Sequence, residues 1–418
     1  MLNTPKSLRL QIGIFGRTNV GKSSFLNMVA GQDVSITSPV PGTTTDVVEK
    51  TMELLPLGPV VFLDTAGLDD TSVLAEARLA RTRRIFDRAD VAVLITEPEK
   101  WGDFETALLA QLSPRHIPCI VVVNKNDTAM PSAAFLAGIQ QQGCQVITCS
   151  SLRNAARDAQ VNVFKEALLN ACPEEFLQPV SLLGGLVPAN GCCVLVVPID
   201  KEAPRGRIIL PQVQAIRDCL DHDALVMVAK EREYPAALRM LTRPPDLVVC
   251  DSQVVLEMVE DTPDTVACTT FSILFARFKG DLRQLVQGAA AIDRLVTGDK
   301  VLIAEACSHH AIEDDIGRVK IPRWLRQYTG ADVQIDVCSG RDYPDHLEQY
   351  KVIIHCGSCM LTRRETLARL RKAREAGVGI TNYGVCISLL QGVLERVLSP
   401  FPEVRDAWRE PAGMGDKA

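Results

Sequence analysis

The chain reads as an α/β protein: a first domain with a mostly parallel sheet, followed by two smaller α/β domains. Three observations predict this. Short, β-branched, nearly continuous apolar runs alternate with helical stretches, the pattern of strands buried on both faces of a parallel sheet. Gly16-Arg17-Thr18-Asn19-Val20-Gly21-Lys22-Ser23 fits the phosphate-loop pattern G-x-x-x-x-G-K-[ST], between one such run and a helix. A length of 418 residues gives between two and three domains at about 150 residues each.

The first section is expected over residues 8–172. Gln11–Phe15, Val60–Leu63, Val91–Ile95 and Ile117–Val123 read as strands; Lys22–Ala30, Val73–Phe86, Phe104–Leu112 and Asp158–Ala171 read as helices. A linker rich in Pro, Leu and Gly follows over 173–190. The middle section, 191–270, repeats the βα pattern, with strands at Cys192–Ile199, Ala224–Val228, Leu247–Val249 and Thr265–Thr269 and helices near Gln212–Asp221 and Tyr234–Leu241. The third section, 271–402, has strands at Lys300–Glu305, Asp332–Val337 and Lys351–His355 and helices near Leu282–Leu295, Arg363–Glu375 and Cys386–Leu398. Residues 403–418 read as a frayed tail.

Composition excludes several classes. Hydrophobic residues at 47% and charged residues at 23% are ordinary for a globular chain, so disordered and collagen-like classes are out. A net charge of −6 without Lys/Arg blocks argues against a general nucleic-acid binder, which needs a basic footprint. No apolar run is long enough to span a membrane, and Met1 to Lys6 lacks the features of a signal peptide. The expectation is a cytoplasmic protein with neither membrane nor nucleic acid as partner. Most of the fourteen cysteines then read as reduced, buried hydrophobes.

The first section carries the strongest chemistry. Glycines let backbone N–H groups close around phosphate oxygens at a helix N-terminus. Lys22 would reach the β- and γ-phosphates and Ser23 would bind Mg²⁺, with Gly16, Asn19, Val20, Gly21 and Ser24 completing the loop. Asp64-Thr65-Ala66-Gly67 follows an apolar run and fits a D-x-x-G switch: Asp64 would hold Mg²⁺ through water and Gly67 would sense the γ-phosphate. Asn124-Lys125-Asn126-Asp127 fits the N-K-x-D guanine reader, since a carboxylate at Asp127 accepts both N1–H and N2–H of guanine. Ser150-Ser151-Leu152 stands where a loop covers the base. In this order the elements select GTP over ATP.

The section resembles the translation-factor-like GTPases, in particular the Era/TrmE-like branch. Pro41-Gly42-Thr43-Thr44-Thr45-Asp46 is similar to that branch's first switch, with Thr44 as the second Mg²⁺ hydroxyl and Thr45 in place of the usual Arg. Leu68 stands where Ras-type enzymes have their water-orienting Gln. The resemblance implies that Asn19 helps hold a K⁺ doing the work of an arginine finger, and that catalysis rests on Lys22, Asn19, Thr44 and Gly67. A plain loop Asn bonded to its own backbone is the other reading of Asn19.

The third section carries less common chemistry. His355-Cys356-Gly357-Ser358-Cys359 ends an apolar strand. A bare C-x-x-C is weak, because fourteen cysteines in such a chain give an expected number by chance of roughly 0.5. Its company raises it: Cys307-Ser308-His309-His310 ends another apolar strand, and strand C-termini are where an open α/β sheet places ligands. Three thiolates with adjacent imidazoles suit structural Zn²⁺ or an iron–sulfur cluster with a replaceable fourth ligand. Residue types alone do not separate the two, and a pair of buried thiols with satisfied histidines is the plain alternative.

A P-loop GTPase followed by C-x-H, about 45 residues, then H-C-x-x-C resembles the FeFe-hydrogenase maturation GTPases, the HydF family; Thr381-Asn382-Tyr383-Gly384-Val385 is similar to a segment of that family. The resemblance implies a GTP-hydrolysing scaffold with GTP, Mg²⁺, K⁺ and a 4Fe–4S cluster. It further implies a transient diiron precursor, received through two radical-SAM maturases and passed to apo FeFe-hydrogenase. Cys307, Cys356 and Cys359 would be the cluster ligands. His309 and His355 are candidates for the exchangeable fourth ligand, Glu305 is another, and Cys338 is the nearest spare thiol. His310 has no motif partner. The middle section resembles the family's dimerisation domain, so a homodimer or larger is expected. The competing class is a TrmE-like GTPase acting on RNA with a structural zinc site.

Overall fold

The computed structural model describes residues 4–31, 48–64, 82, 84–151, 157–177, 181–199, 208–306, 315–340 and 343–409. The chain divides into two compact units, Met1–Pro179 and Val180–Ala418.

The first unit is built on a six-stranded sheet. Its strands are β1 (Leu10–Phe15), β2 (Val48–Leu54), β3 (Gly58–Asp64), β4 (Val91–Thr96), β5 (Cys119–Val123) and β6 (Gln145–Thr148), in the order β2-β3-β1-β4-β5-β6. All neighbours are parallel except β2, which runs antiparallel to β3. Every residue of β1 and β4 is buried, as a strand covered on both faces requires. Alternate residues feed two cores. Ile12, Ile14, Val93 and Val122 pack with the helices Lys22–Ala30 and Arg157–Ala171, where Phe25 meets Phe164 edge-on at 5.0 Å. Phe15, Leu94 and Val121 pack on the other face with Asp103–Leu112 and Ala133–Gln140.

The edge strands β2 and β6 and the helix Ala133–Gln140 escape the apolar-run reading. β2 mixes charged residues (Glu49, Lys50, Glu53) among its apolar ones, and β6 has only four residues.

The second unit holds two four-stranded parallel sheets. One comprises β7 (Cys192–Val196), β8 (Leu225–Ala229), β9 (Leu247–Cys250) and β10 (Ala267–Thr270), in the order β10-β9-β7-β8. The other comprises β11 (Lys300–Ala304), β12 (Gln334–Cys338), β13 (Val352–His355) and β14 (Gly379–Asn382), in the order β12-β11-β13-β14. One continuous apolar core runs through both. The helix Phe271–Lys279 leaves β10 and packs against Arg363–Glu375 and Tyr383–Leu390 of the third section. Gly288, in the helix Leu282–Ala289, lets that helix close on β14, since a Cβ there would come within 2.0 Å of the Ile380 carbonyl.

Several expectations need correction. Residues 386–398 form no single helix: Tyr383–Leu390 ends, and a short turn, Leu394–Val397, follows. Pro402–Arg409 is helical where a frayed tail was expected. The strand expected to reach Ile199 stops at Val196. Among the described residues no helix is long and apolar enough to cross a membrane.

Candidate functional sites

The candidate nucleotide site lies at the C-terminal ends of β1, β3 and β5. The loop after β1 turns sharply through Gly16, with φ 148°, where a Cβ would meet the Ile95 carbonyl at 2.4 Å. Asn19 follows in the left-handed region at φ 62°, a conformation Asn tolerates better than most residues. At Gly21, φ 94°, a Cβ would meet Asn124 Nδ2 at 2.4 Å, so the N-K-x-D segment and the loop after β1 touch. Lys22, buried at the start of its helix, donates to the carbonyls of Gly16 at 2.8 Å and Arg17 at 2.9 Å. Ser23 and Ser24 lie in the first helical turn, and both are exposed.

Asn124 and Lys125 serve as braces here. Asn124 Nδ2 donates to the Val20 carbonyl at 2.8 Å, and its Oδ1 accepts from Ser151 N at 3.0 Å and Ser151 Oγ at 2.8 Å. Lys125 Nζ donates to the Asn19 carbonyl at 2.6 Å and also pairs with Glu97. Asp127 is exposed and Ser150 is buried. The structure therefore brings together the phosphate loop, Asn124, Lys125 and Ser151. Thr44, Gly67, Leu68 and Leu152 lie outside the described residues.

Two charged residues here were not singled out from the sequence. Lys50 of β2 lies 3.7 Å from Asp64 Oδ2, both side chains buried. Arg17 makes a bidentate pair with Glu105, at 2.8 Å and 2.7 Å, whose side chain is almost fully buried. Burial alone would raise the Glu105 carboxyl; the guanidinium and the backbone N–H bonds outweigh it and hold the group below its usual range.

The second site is the C-terminal edge of the third sheet. β11 and β13 are parallel neighbours, with Ala304 opposite His355. Cys356 N donates to the Ala304 carbonyl at 3.0 Å, and Ala306 N donates to Cys356 Sγ at 3.0 Å. The strand end leading into Cys307 is thus bonded to the sulfur of Cys356. Cys307, His309 and His310 themselves lie outside the described residues, and among those described no group of three His, Cys, Asp or Glu side chains is arranged to hold a metal.

The loop after Cys356 is held from below. Ser358 takes φ 56°. Lys279, at the end of its helix and 1% exposed, donates to the carbonyls of Ser358 at 3.2 Å, Cys359 at 3.0 Å and Leu361 at 2.9 Å. Burial pulls the Lys279 ammonium down to about 8, against the opposing pull of Cys359, Glu365 and Cys356. Burial also pushes the Cys359 thiol up, and the Lys279 charge partly offsets this.

His355 is buried, with both ring nitrogens engaged: Nε2 accepts from Arg369 at 2.8 Å, and Nδ1 lies 2.9 Å from the Cys356 carbonyl and 3.1 Å from Ser358 Oγ. Glu305 is likewise occupied, accepting from Arg318 at 2.8 Å and Ser339 at 3.1 Å. Cys338 ends β12 opposite Ala304. Asn382, opposite His355 on β14, accepts from Val385 N and donates to the Ser272 carbonyl, both at 2.9 Å. Lys279 and Arg369 are the functional candidates that sequence reasoning passed over. Lys279 lies 80 residues from Cys359 and Arg369 lies 14 residues from His355, and neither belongs to a local motif.

The family described as 50S ribosome-binding GTPase matches residues 11–125. Curated relatives include the tRNA modification GTPase MnmE of Synechococcus sp. (strain JA-3-3Ab), 42% identical over 29% of this chain and 26% of its own. MnmE of Ruegeria pomeroyi is 40% identical over 32% of this chain and 29% of its own. The chain thus spans between a quarter and a third of the length of these two relatives. Similar solved structures include a point variant of Aquifex aeolicus Era bound to GDP·AlF₄⁻, 20% identical with a TM-score of 0.32, covering 56% of this chain and 98% of that one. The G domain of the T. maritima FeoB iron transporter is also 20% identical, with a TM-score of 0.30, covering 41% of this chain and 99% of that one. Beyond the GTPase domain, the hydrogen maturase F dimerization domain matches residues 182–280 and the hydrogen maturase F tetramerization domain matches residues 283–400. With more than half its length matched by these two domains, and a GTPase domain before them, the chain belongs to the hydrogen maturase F family of hydrogenase-maturation GTPases.

Proposed function

We propose that this protein is a GTP-hydrolysing scaffold that binds a 4Fe–4S cluster through Cys307, Cys356 and Cys359. It carries a diiron precursor as cargo between two radical-SAM maturases and an apo FeFe-hydrogenase. The observation that carries the cluster reading is the bond from Ala306 N to Cys356 Sγ, which ties the strand end before Cys307 to the C-x-x-C loop. The donor set fits such a group: sulfur ligands at a strand end, one accepting a backbone N–H, with a buried ammonium beside the loop. A cubane held by three thiolates supplies an iron whose remaining ligand is exchangeable, as a scaffold that loads and releases cargo requires. His355 and Arg369 stiffen the base of the loop, and Glu305 is held by Arg318 and Ser339, so His309 becomes the favoured donor for the fourth position.

At the nucleotide cleft the residues fit Mg²⁺ as a hard-oxygen site: the Ser23 hydroxyl at the helix start, and Asp64 at the neighbouring strand end. Lys22 would leave its two loop carbonyls for the β- and γ-phosphates. Asn19, exposed at the loop tip, is proposed to hold K⁺ and so stabilise charge developing on the transferring phosphoryl group.

The cluster reading is tested by anaerobic reconstitution with iron and sulfide. A shoulder near roughly 400 nm that bleaches with dithionite is expected, with iron content severely lowered by Cys→Ala at each of Cys307, Cys356 and Cys359 but not at Cys338. A colourless protein that retains zinc would favour the RNA-directed alternative. GTP turnover is expected to be slow and faster in K⁺ than in Na⁺ at equal ionic strength; equal rates would remove the potassium role.

A further inference from the structure

The helix Phe271–Lys279 is apolar along its buried face, with Phe271, Ile273, Leu274, Phe275 and Ala276 in the core. Its last residue breaks that pattern. An ammonium is among the least favourable groups to bury, and it persists in a core only where its protons are all taken up. Lys279 meets that condition: an ammonium has three donors, and three carbonyls, those of Ser358, Cys359 and Leu361, receive them. The Phe275 ring adds a cation–π contact at 5.6 Å.

All three carbonyls belong to one short stretch, the loop that carries Cys359 and follows Cys356. Their convergence holds the backbone through Ser358, whose φ of 56° is uncommon for a residue with a side chain. On the other side of the same loop, His355 Nδ1 meets the Cys356 carbonyl at 2.9 Å. The loop is therefore pinned through its carbonyls. An apolar residue ending the helix would fill the same space. What it would lack is a positive charge beside two thiols expected to bind as thiolates.

We propose that Lys279 is a positioning residue for the cluster: it fixes the Cys356–Leu361 loop, and its charge favours the reduced, more negative state of the bound group. The inference rests on the cluster reading above and adds an electrostatic role to it. Net charge and hydrogen bonding around a cluster are among the factors that set its potential. Removing a buried cation beside the thiolates should therefore make reduction harder.

The test uses the full chain, reconstituted anaerobically as wild type, Lys279→Met and Lys279→Gln, with iron content and an EPR-monitored redox titration as readouts. Circular dichroism melting and GTP binding report on folding. In a variant that folds and keeps its cluster, the reduced-to-oxidised ratio at fixed potential is expected to fall at least tenfold, about 59 mV for one electron. A folded variant that loses most of its iron also supports the positioning role. Unchanged iron and unchanged potential in both variants would overturn the proposal, and so would unfolding of both, which would make Lys279 a core residue only. A wild-type chain that takes up no cluster at all would instead sink the cluster reading, and this inference with it.

Discussion

Arg369 donates a hydrogen bond to Nε2 of His355 over 2.8 Å, and this contact fixes which ring nitrogen carries the proton. A guanidinium has donors only, so Nε2 must offer its lone pair. The neutral ring then carries its proton on Nδ1, which donates to the Cys356 carbonyl at 2.9 Å. Burial first, and the Arg369 charge second, push His355 down to about 3.

Acid should therefore destabilise the second unit through His355. The unfolded residue titrates near 6.5 and the folded one near 3. Between those values the unfolded chain binds the extra proton, so this contribution is full above about pH 6.5 and falls as pH drops toward 3. From pH 7 to pH 5 the loss is about 2 kcal/mol. Urea unfolding at the two pH values, compared with His355→Gln, checks it. The wild type is expected to lose more stability than the variant, and parallel losses would show that the ring is not held neutral.

Base recognition should depend on Asp127 and Asn124 in different ways. Asp127→Asn exchanges an acceptor pair for a mixed amide, so GTP affinity is expected to fall at least tenfold while affinity for a xanthine nucleotide rises. Asn124→Ala removes the bond to the Val20 carbonyl and both bonds from Ser151, so it should weaken guanine and xanthine nucleotides alike. Titration with fluorescent nucleotides measures both. An Asp127→Asn protein that keeps its guanine preference would remove Asp127 from the reader.

Self-association should run through β8. It is the outer strand of its sheet, Leu225 is 64% exposed and Val228 is 45% exposed. Val213 and Leu220 of the helix Leu210–Asp221 are 46% and 58% exposed. An exposed apolar edge strand invites pairing with another strand, and a two-fold copy is the simplest partner. The hydrogen maturase F dimerization domain spans these residues. Leu225→Lys with Val228→Lys in the full chain is expected to at least halve the mass seen by light scattering. An unchanged mass would place the contact elsewhere.

Much of this protein is legible in its sequence because the deciding interactions are local. The helix Lys22–Ala30 follows its phosphate loop, and Arg363–Glu375 starts at a reciprocal cap, Thr362 Oγ1 accepting from Glu365 N at 3.1 Å while Thr362 N donates to Glu365 at 2.9 Å. Doubly covered strands such as β4 are equally plain, since burial on both faces requires continuous apolar residues. Short and edge strands are not: β2 mixes charge into its pattern, and β14 has four residues, two of them polar. The sequence also marked Cys356, Cys359 and His355 as chemistry-bearing, but not what each touches. Only the tertiary structure brings Lys279 under a loop about 80 residues away and sets Arg369 on the ring of His355. Those contacts join helices to a strand end through the packing of the fold. Burial, which gives an ammonium or an imidazole its altered chemistry, belongs to the assembled core and leaves no local pattern in the chain.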